Sequence, residues 1–298
     1  VVMRLLSAKA RQFSLTTLGL SDIDLKKVKR AMKNPYGMIL VTGPTGSGKT
    51  TSLYAVMKIL NKREVHISTI EDPVEYDLEG VSQIQVDTKT NLTFAKGLRA
   101  IVRQDPDIIM VGEIRDPETA DIAVNSAMTG HLVLSTLHAN DAATTLPRLL
   151  DMGIEPFLVA STINIVIAQR LVRKVCVNCI ASYELGDKEK FLLKNDQEIY
   201  DLLRRRGRDD LDKLYFYKGK GCRVCGNTGY NGRVGIFEVL EVLENIKKLI
   251  MARASSNEIV LTARANGMVT MLEDGMDKVL SGETTLEEVL RVVKSGTT

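Results

Sequence analysis

One stretch of the sequence has the glycine spacing and the basic residue that phosphate binding requires. Residues 43–50 read GPTGSGKT, which fits G-x-x-x-x-G-K-[ST] at every fixed position. The apolar run MILV (38–41) precedes this stretch, and a segment with helical spacing follows it. Glycines let backbone amides curl around phosphate oxygens, and the positive end of the next helix adds to the attraction. We therefore predict a site for a nucleoside triphosphate.

The residue types in this loop suit the binding of phosphate groups and Mg²⁺. Lys49 places a cation on the β and γ phosphates, and the Thr50 hydroxyl can ligate Mg²⁺. The predicted nucleotide-binding residues are Gly43, Pro44, Thr45, Gly46, Ser47, Gly48, Lys49, Thr50 and Thr51. GTPases, small-molecule kinases and motor ATPases all use such loops. A GTPase is disfavoured, because NKRE (61–64) has Glu64 in the wrong place for the guanine-binding motif Asn-Lys-x-Asp.

Two acidic clusters follow predicted strands. One is DPDIIMVGEIRD (105–116), which projects Glu113 from a strand tip; the other is STIEDPVEY (68–76), which supplies Glu71. ATP hydrolysis needs one carboxylate for the metal and one that orients or deprotonates water. We predict Glu71 and Glu113 for these roles, and the sequence leaves open which of them is the general base. The usual Asp-Glu pair is replaced by Gly112 and Glu113, so one carboxylate is missing there.

Two of the three histidines flank another predicted strand, LVLSTL (132–137). His138 follows the strand, at the edge where ligand-binding residues of parallel sheets collect. A histidine there can hydrogen-bond a γ-phosphate and report its loss. We predict that His138 acts in this way and that His131 contributes to nucleotide binding. The alternative for both is an ordinary polar residue at a strand end.

The four cysteines form two Cys-x-x-Cys pairs separated by 42 residues: Cys176 with Cys179, and Cys222 with Cys225. Disulfides are disfavoured in the reducing compartment where a protein that hydrolyses ATP works. Two such pairs are the usual way to build a tetrahedral four-cysteine zinc site. We predict a structural zinc ion, with a redox-active Cys-x-x-Cys as the alternative.

The elements that must position these residues follow an alternating pattern. Short apolar runs at 38–41, 66–70, 107–111 and 132–137 alternate with segments of helical spacing, which predicts a parallel sheet in an α/β fold. FLVASTINIVIA (157–168) is too short and too polar to cross a membrane and is predicted as a buried helix. Residues 180–216 are highly charged, and helical spacing returns from 236.

Composition argues against a dedicated nucleic-acid binder. The net charge is only +3, and aromatic residues for base stacking are few (Phe 6, Tyr 8, Trp 0). RLVRK (170–174) and RRRGR (204–208) are local basic patches, so a nucleic-acid translocase remains an alternative hypothesis. A regulatory nucleotide binder that hydrolyses little is another. Because the chain opens on Val1, we expect it to be a fragment that lacks its N-terminal part.

Four segments, in this order, carry a resemblance to a known family. They are GPTGSGKTT (43–51), TIEDPVEY (69–76), GLRAIVRQDPDIIMVGEIRD (97–116) and TGHLVLSTLHAND (129–141). They resemble the Walker A, Asp-box, Walker B and His-box motifs of the secretion ATPase superfamily, the hexameric motors of type II secretion and type IV pili. The resemblance runs through nearly the whole chain. The four cysteines resemble the tetracysteine element of the branch that drives export or pilus extension, which the retraction motors lack.

The resemblance implies a RecA-like P-loop NTPase core that binds ATP and Mg²⁺ between neighbouring subunits of a ring. It implies an inserted four-cysteine zinc subdomain and a C-terminal helical region. The predicted divisions are 1–33 (remnant of an N-terminal domain and linker), 34–170 (core), 171–235 (tetracysteine subdomain) and 236–298 (helical subdomain). Family arginines that reach the nucleotide match Arg4, Arg99 and Arg103, and a guanidinium suits charge that develops on a phosphoryl group.

The resemblance also implies partners and a location. The expected assembly is a homo-oligomer, most simply a hexamer. It would act on an inner-membrane platform protein through a cytoplasmic adaptor, without a membrane span of its own. The expected location is the cytoplasm, at the inner face of the membrane. The residues leave open whether the system is type II secretion or type IV pilus assembly.

Overall fold

The computed structural model describes residues 14–294. The strands are β1 (Gly37–Thr42), β2 (Ile67–Glu71), β3 (Val81–Gln85), β4 (Ile108–Ile114), β5 (Leu132–Leu137), β6 (Ile163–Val175), β7 (Ile180–Glu184), β8 (Tyr215–Gly219) and β9 (Tyr230–Glu241). The helices are α1 (Asp22–Ala31), α2 (Lys49–Leu60), α3 (Phe94–Val102), α4 (Pro117–Met128), α5 (Ala142–Asp151), α6 (Pro156–Thr162), α7 (Asp187–Asn195), α8 (Gln197–Arg205), α9 (Glu244–Met251), α10 (Ser256–Ala265), α11 (Met271–Leu280) and α12 (Leu286–Lys294). The predicted α/β class is confirmed.

Seven strands form one sheet in the order β3-β2-β4-β5-β1-β6-β9, and β7 pairs with β8 separately. The pairs from β3 through β6 are all parallel. Strand β5 lies between β1 and β4. Because parallel strands end at the same edge of a sheet, the residues that follow β1, β5 and β4 come together there.

The centre of this sheet is buried on both faces. Every residue of β1, β2 and β5 is buried, and β1 and β5 accordingly consist mainly of apolar residues instead of showing an alternating pattern. Their burial fixes the register of the ladder, since a slip of one residue would break the packing of both faces. The sheet thus provides a rigid base for the residues at its edge.

The described chain divides into two compact units: residues 14–169 with 238–268 (the first unit) and residues 170–237 with 269–294 (the second unit). The second unit has its own hydrophobic cluster, formed by Leu185, Leu193, Ile199, Leu202, Leu203, Leu211, Leu214, Phe216, Leu272, Met276, Val279, Leu286 and Val289. The predicted helical subdomain at 236–298 is therefore divided between the units. Helical spacing shows which face of a helix is apolar but not which partner covers that face.

Two predicted helical segments contain strands. The segment 157–168 was expected to be one helix, but α6 ends at Thr162 and β6 begins at Ile163. Its second half is rich in β-branched residues, which suit a strand beside β1. Likewise, β9 continues to Glu241, past the predicted helical start at 236. Across residues 14–294, none of the helices has the length and apolar character that crossing a membrane requires.

Candidate functional site

The loop between β1 and α2 has the backbone conformation that its glycines predict. Gly43, Gly46 and Gly48 have φ angles of 142°, 78° and 89°, a region that other residues rarely adopt. A Cβ atom on Gly43 would lie 2.3 Å from the carbonyl oxygen of Gln169 and 2.8 Å from Ser47 Oγ. Position 43 therefore requires glycine both for its φ angle and for space.

Lys49 lies within the curl of this loop. Its Nζ donates hydrogen bonds to the carbonyl oxygens of Gly43 (2.9 Å) and Pro44 (3.1 Å). Burial lowers the pKa of Lys49, while the nearby carboxylate of Glu113 raises it in part. Ser47 Oγ is buried and finds no hydrogen-bond partner among the described residues. A buried hydroxyl with unused capacity beside a buried lysine fits a loop that binds phosphate oxygens.

Glu113 lies near the end of β4, two strands away from the loop. The pairing of β4 with β5 shifts register between Val111 and Ile114, so Glu113 lies in a bulge that redirects its side chain. Its Oε2 lies 3.2 Å from His138 Nε2, and its Oε1 is paired with Arg115. The side chain is only 13% exposed. The structure thus brings Glu113 and His138 together at the edge of the sheet that carries the phosphate loop.

The structure explains the missing carboxylate at position 112. A Cβ atom on Gly112 would lie 3.3 Å from Glu71 Cα, 3.3 Å from the Ile70 carbonyl oxygen and 3.5 Å from Phe94. Two of these three neighbours are backbone atoms of β2, which cannot rotate away. A larger residue at position 112 would require the backbone of β2 to shift by a few tenths of an ångström.

Glu71 has surroundings very different from those of Glu113. It is 2% exposed. Its Oε1 accepts hydrogen bonds from Thr69 (2.6 Å) and Gln83 (3.1 Å), and its Oε2 accepts one from the Tyr54 hydroxyl. Both carboxylate oxygens are occupied by donors of the same chain. This geometry suits a group that fixes α2 against β2 and β3 more than one that deprotonates water.

Tyr54 completes this buried network. Burial raises the pKa of Tyr54, and the hydrogen bond to Glu71 raises it further, so the hydroxyl stays protonated as a donor. The Tyr54 ring also makes an edge contact with Tyr76 at a centroid separation of 4.6 Å. The phosphate-loop helix is thereby joined to the acidic segment 71–76.

Other predicted site residues lie elsewhere. His131 precedes β5, at the opposite edge of the sheet from the loop, where its carbonyl oxygen accepts from the amide of Gly37 at 3.1 Å. A strand of six residues separates the two edges by roughly 17 Å, so His131 does not lie beside the phosphate loop of its own chain. Arg99 forms an exposed ion pair with Glu118 at 2.7 Å, and Arg103 is exposed at the end of α3. Arg4 lies outside the described residues.

Two residues near the site were missed by the sequence analysis. Arg115 pairs with Glu113; its position two residues later in an extended segment was a signal, because such side chains share one side of a strand. Gln169 approaches Gly43 through its carbonyl oxygen and accepts a hydrogen bond from Ser52 Oγ at 2.6 Å. Nothing local in the sequence indicates that contact, which depends on the pairing of β6 with β1.

The four cysteines converge in the second unit. Their Sγ atoms all lie within 4.8 Å of one another, and the separations include 3.7 Å for Cys222–Cys225 and 3.8 Å for Cys176–Cys222. Four tetrahedral bonds of about 2.3 Å to zinc would place sulfur atoms about 3.8 Å apart. The cysteines are free thiols and not disulfides. The donor set therefore fits a zinc ion.

Backbone amides prepare one of these sulfurs for a metal. Burial opposes the thiolate of Cys225, but hydrogen bonds from the amides of Cys222 (3.2 Å) and Gly229 (3.3 Å), together with those from the thiols of Cys222 and Cys179, outweigh this and lower its pKa to about 6. Gly226, directly after the second Cys-x-x-Cys pair, has a φ angle of 57°. Amide-to-sulfur hydrogen bonds of this kind stabilise a metal-bound thiolate.

The fold and the loop define a P-loop α/β protein in which one strand, β5, lies between β1, which leads into the loop, and β4, which carries Glu113. The chain belongs to the family described as type II/IV secretion system protein, whose model matches residues 1–291. The resemblance found in the sequence is thus confirmed.

Curated relatives from several bacteria agree with this membership. The chain is 48% identical over 294 residues to a type II secretion system protein E of Pseudomonas aeruginosa, covering 99% of this chain and 56% of the relative. It is 46% identical over 290 residues to the type IV pilus assembly ATPase PilB of Myxococcus xanthus, covering 97% and 50%. The chain therefore spans about half the length of these relatives.

Solved structures show the same fold. A pilus retraction motor PilT with bound ADP is 29% identical, with a TM-score of 0.68 over 97% of this chain and 68% of that chain. The ATPase DotB of Legionella pneumophila, at 23% identity, has a TM-score of 0.64 over 95% and 66%. The latter similarity concerns the fold alone.

Proposed function

We propose that this chain hydrolyses ATP as the motor part of a type II secretion or type IV pilus assembly system. The observation that carries the proposal is the convergence of Lys49, Glu113 and His138 at one edge of a buried parallel sheet. Relatives at 46–48% identity are named for secretion and for pilus assembly, and a related structure at 29% identity holds ADP.

Each site residue has a part in this reaction. The loop amides and Lys49 would bind the β and γ phosphates, and the Thr50 hydroxyl with Glu113 would hold Mg²⁺. Bound Mg²⁺ would neutralise charge that develops on the phosphate oxygens. Because the charge of Glu113 interacts with Lys49, we choose Glu113 as the carboxylate that holds Mg²⁺. Glu71 then acts by positioning α2.

His138 would report the state of the site. Glu113 is shared between Arg115 on one oxygen and His138 on the other. A γ-phosphate that accepts a hydrogen bond from His138 would compete with Glu113 for the imidazole. Phosphate loss would restore the contact between Glu113 and His138, so hydrolysis would switch the segment after β5 between two arrangements.

We further propose that the four cysteines hold one structural zinc ion. The sulfur separations and the amide donors to Cys225 support this reading. All four ligands are protein side chains, which leaves no position open for catalysis. The zinc would fix the two Cys-x-x-Cys turns against each other.

The assembly we propose is a homo-oligomeric ring, most simply a hexamer, at the cytoplasmic face of the inner membrane. Arg99 and Arg103 are exposed and could reach the nucleotide of a neighbouring copy. The ring would act on a platform protein in the membrane through an adaptor. The four-cysteine cluster favours export or pilus extension over retraction, and the names of the relatives favour both over nucleic-acid translocation.

The experiment is ATP turnover per chain against protein concentration, with Lys49→Ala as the blank and the exposed Lys62→Ala as the matched control. We expect total activity to rise more steeply than linearly with protein concentration, so that turnover per chain increases, because neighbouring copies complete the site. Lys49→Ala should be inactive and Lys62→Ala unchanged. Turnover in Lys49→Ala equal to that of the unmodified chain would contradict the proposal, and strictly linear activity would refute the shared site.

A further inference from the structure

The last residue of β1, Thr42, forms hydrogen bonds with the backbone of the residues before and after His138. Thr42 is fully buried and immediately precedes Gly43. Its hydroxyl lies 2.9 Å from the carbonyl oxygen of Leu137 and 3.1 Å from that of Ala139, and it accepts a hydrogen bond from the Ala139 amide at 3.0 Å. One side chain thus joins the start of the phosphate loop to the residues before and after His138.

These contacts lie where the regular ladder ends. The pairing of β1 with β5 stops at Thr42 and Leu137, after which one chain enters the phosphate loop and the other enters the segment 138–141. The amide and carbonyl of Ala139 can no longer be satisfied by backbone partners in β1. The hydroxyl of Thr42 replaces these backbone hydrogen bonds, because a hydroxyl both donates and accepts.

The hydroxyl has one proton for two carbonyl oxygens. The Leu137 oxygen belongs to the ladder and stays in place, whereas the Ala139 oxygen belongs to the segment that carries His138. Thr42 can therefore release Ala139 and keep Leu137, so the segment can shift without leaving a buried hydroxyl unpaired. The other end of the segment is fixed separately, since Glu238 Oε1 accepts from the amide of Ala142 at 3.0 Å.

We infer that Thr42 is a positioning residue that couples the phosphate loop to His138. Its hydroxyl holds the Ala139 backbone so that the imidazole reaches Glu113. This inference rests on the proposed ATP hydrolysis and adds to it the connection between loop and histidine. Thr42 has no direct contact with substrate in this account, so its removal should affect turnover more than ATP affinity.

The first test compares Thr42→Val, which keeps the shape and removes the hydroxyl, with Thr42→Ser, which keeps the hydroxyl. Thr162→Val is the matched control, because Thr162 is also buried and, among residues 14–294, its hydroxyl bonds only within its own helix, to the Leu158 oxygen at 2.6 Å. We expect Thr42→Val to lower kcat about tenfold while KM for ATP changes less than about twofold. Thr42→Ser and Thr162→Val should keep kcat.

The second test asks whether Thr42 acts through His138. If it does, the double variant Thr42→Val/His138→Ala should be no slower than His138→Ala alone, since residues that act as a unit are not additive. Two losses that multiply would overturn the coupling. So would a Thr42→Val enzyme with full kcat, or a Thr42→Ser enzyme as impaired as Thr42→Val.

A third readout does not depend on hydrolysis. The chain has three histidines, so the ring resonances of His138 can be assigned in NMR spectra by comparison with His138→Ala. We expect them to shift in Thr42→Val and to keep their positions in Thr42→Ser and Thr162→Val. Unshifted resonances in a folded Thr42→Val protein would refute the inference even if the chain proved inactive. Shifted resonances without any turnover would support the inference and refute the proposed function.

Discussion

The phosphate-loop region and the four-cysteine region both collect residues from distant parts of the sequence, but different interactions hold them. In the first unit, backbone ladders between buried strands place Gly43, His138 and Glu113 at one edge. In the second unit the cysteines lie on two turns, and none of them belongs to the hydrophobic cluster described for residues 170–294. Changing a residue of the first site should therefore affect chemistry, whereas changing one of the second should affect folding.

Loss of a cysteine is the largest expected effect on stability. Because structural zinc contributes on the order of 10 kcal/mol of binding free energy in small zinc domains, Cys222→Ser should lose the metal and destabilise the second unit. The exposed Val224, in the same turn, gives the control Val224→Ala. Elemental analysis should find one zinc per chain in the control and none in Cys222→Ser.

Zinc-free protein that melts at the same temperature as metal-replete protein would contradict a structural role. The same result would remove the contrast between the two regions. Protein purified under metal-replete conditions without zinc would refute the zinc assignment itself.

The carboxylates of Glu71 and Glu113 offer a sharper contrast within the first unit. Glu71→Gln would place an amide donor among Tyr54, Thr69 and Gln83, which are themselves donors to Glu71. We expect it to lower the free energy of unfolding by about 1–3 kcal/mol, the cost of an unsatisfied buried group. Denaturant titration measures this, and Tyr54→Phe should give a loss of the same kind.

The alternative for Glu71 is the general base of hydrolysis. A Glu71→Gln protein with unchanged stability and no turnover would favour that role. It would also show that the hydrogen bonds to Tyr54 and Thr69 open during the reaction.

A smaller effect concerns pH. Burial raises the pKa of Glu288, but hydrogen bonds from Arg291 and Arg173 outweigh it and lower the pKa to about 2 from an ordinary 4.5. The lowered pKa means that Glu288 stabilises the folded second unit above pH 4.5 and that this contribution is lost as pH falls toward 2. Melting temperatures across this range should fall more steeply for the unmodified chain than for Glu288→Gln. Parallel curves would contradict the assignment.

The strands that carry the site could be predicted because burial on both faces leaves a clear sequence pattern. The runs at 38–41, 66–70, 107–111 and 132–137 correspond to β1, β2, β4 and β5 within a few residues. Strand β3 was not predicted, since VSQIQ is half-exposed and mostly polar. Strand β6 was taken for a helix, because a short apolar run fits either structure until its neighbour is known.

The placement of a site residue could be predicted where its position in a strand decides it, but not where a tertiary contact does. His138 and Glu113 follow directly from their places at strand ends. His131 precedes β5, so the direction of a parallel strand already places it away from the phosphate loop. The burial of Glu71 depends on Tyr54 and Gln83, which lie 17 residues before it and 12 after it, and no local pattern reveals such partners.

The most direct test of the account separates nucleotide binding from turnover in Glu113→Gln, with the exposed Glu64→Gln as its matched control. Binding of ATP and its hydrolysis would be measured on the same preparations. We predict that Glu113→Gln still binds ATP, because the loop and Lys49 are intact, but hydrolyses it at least about 100-fold more slowly, as expected when a metal-holding carboxylate is lost. Glu64→Gln should match the unmodified chain. A Glu113→Gln protein that hydrolyses ATP at the unmodified rate would contradict the site at this edge of the sheet.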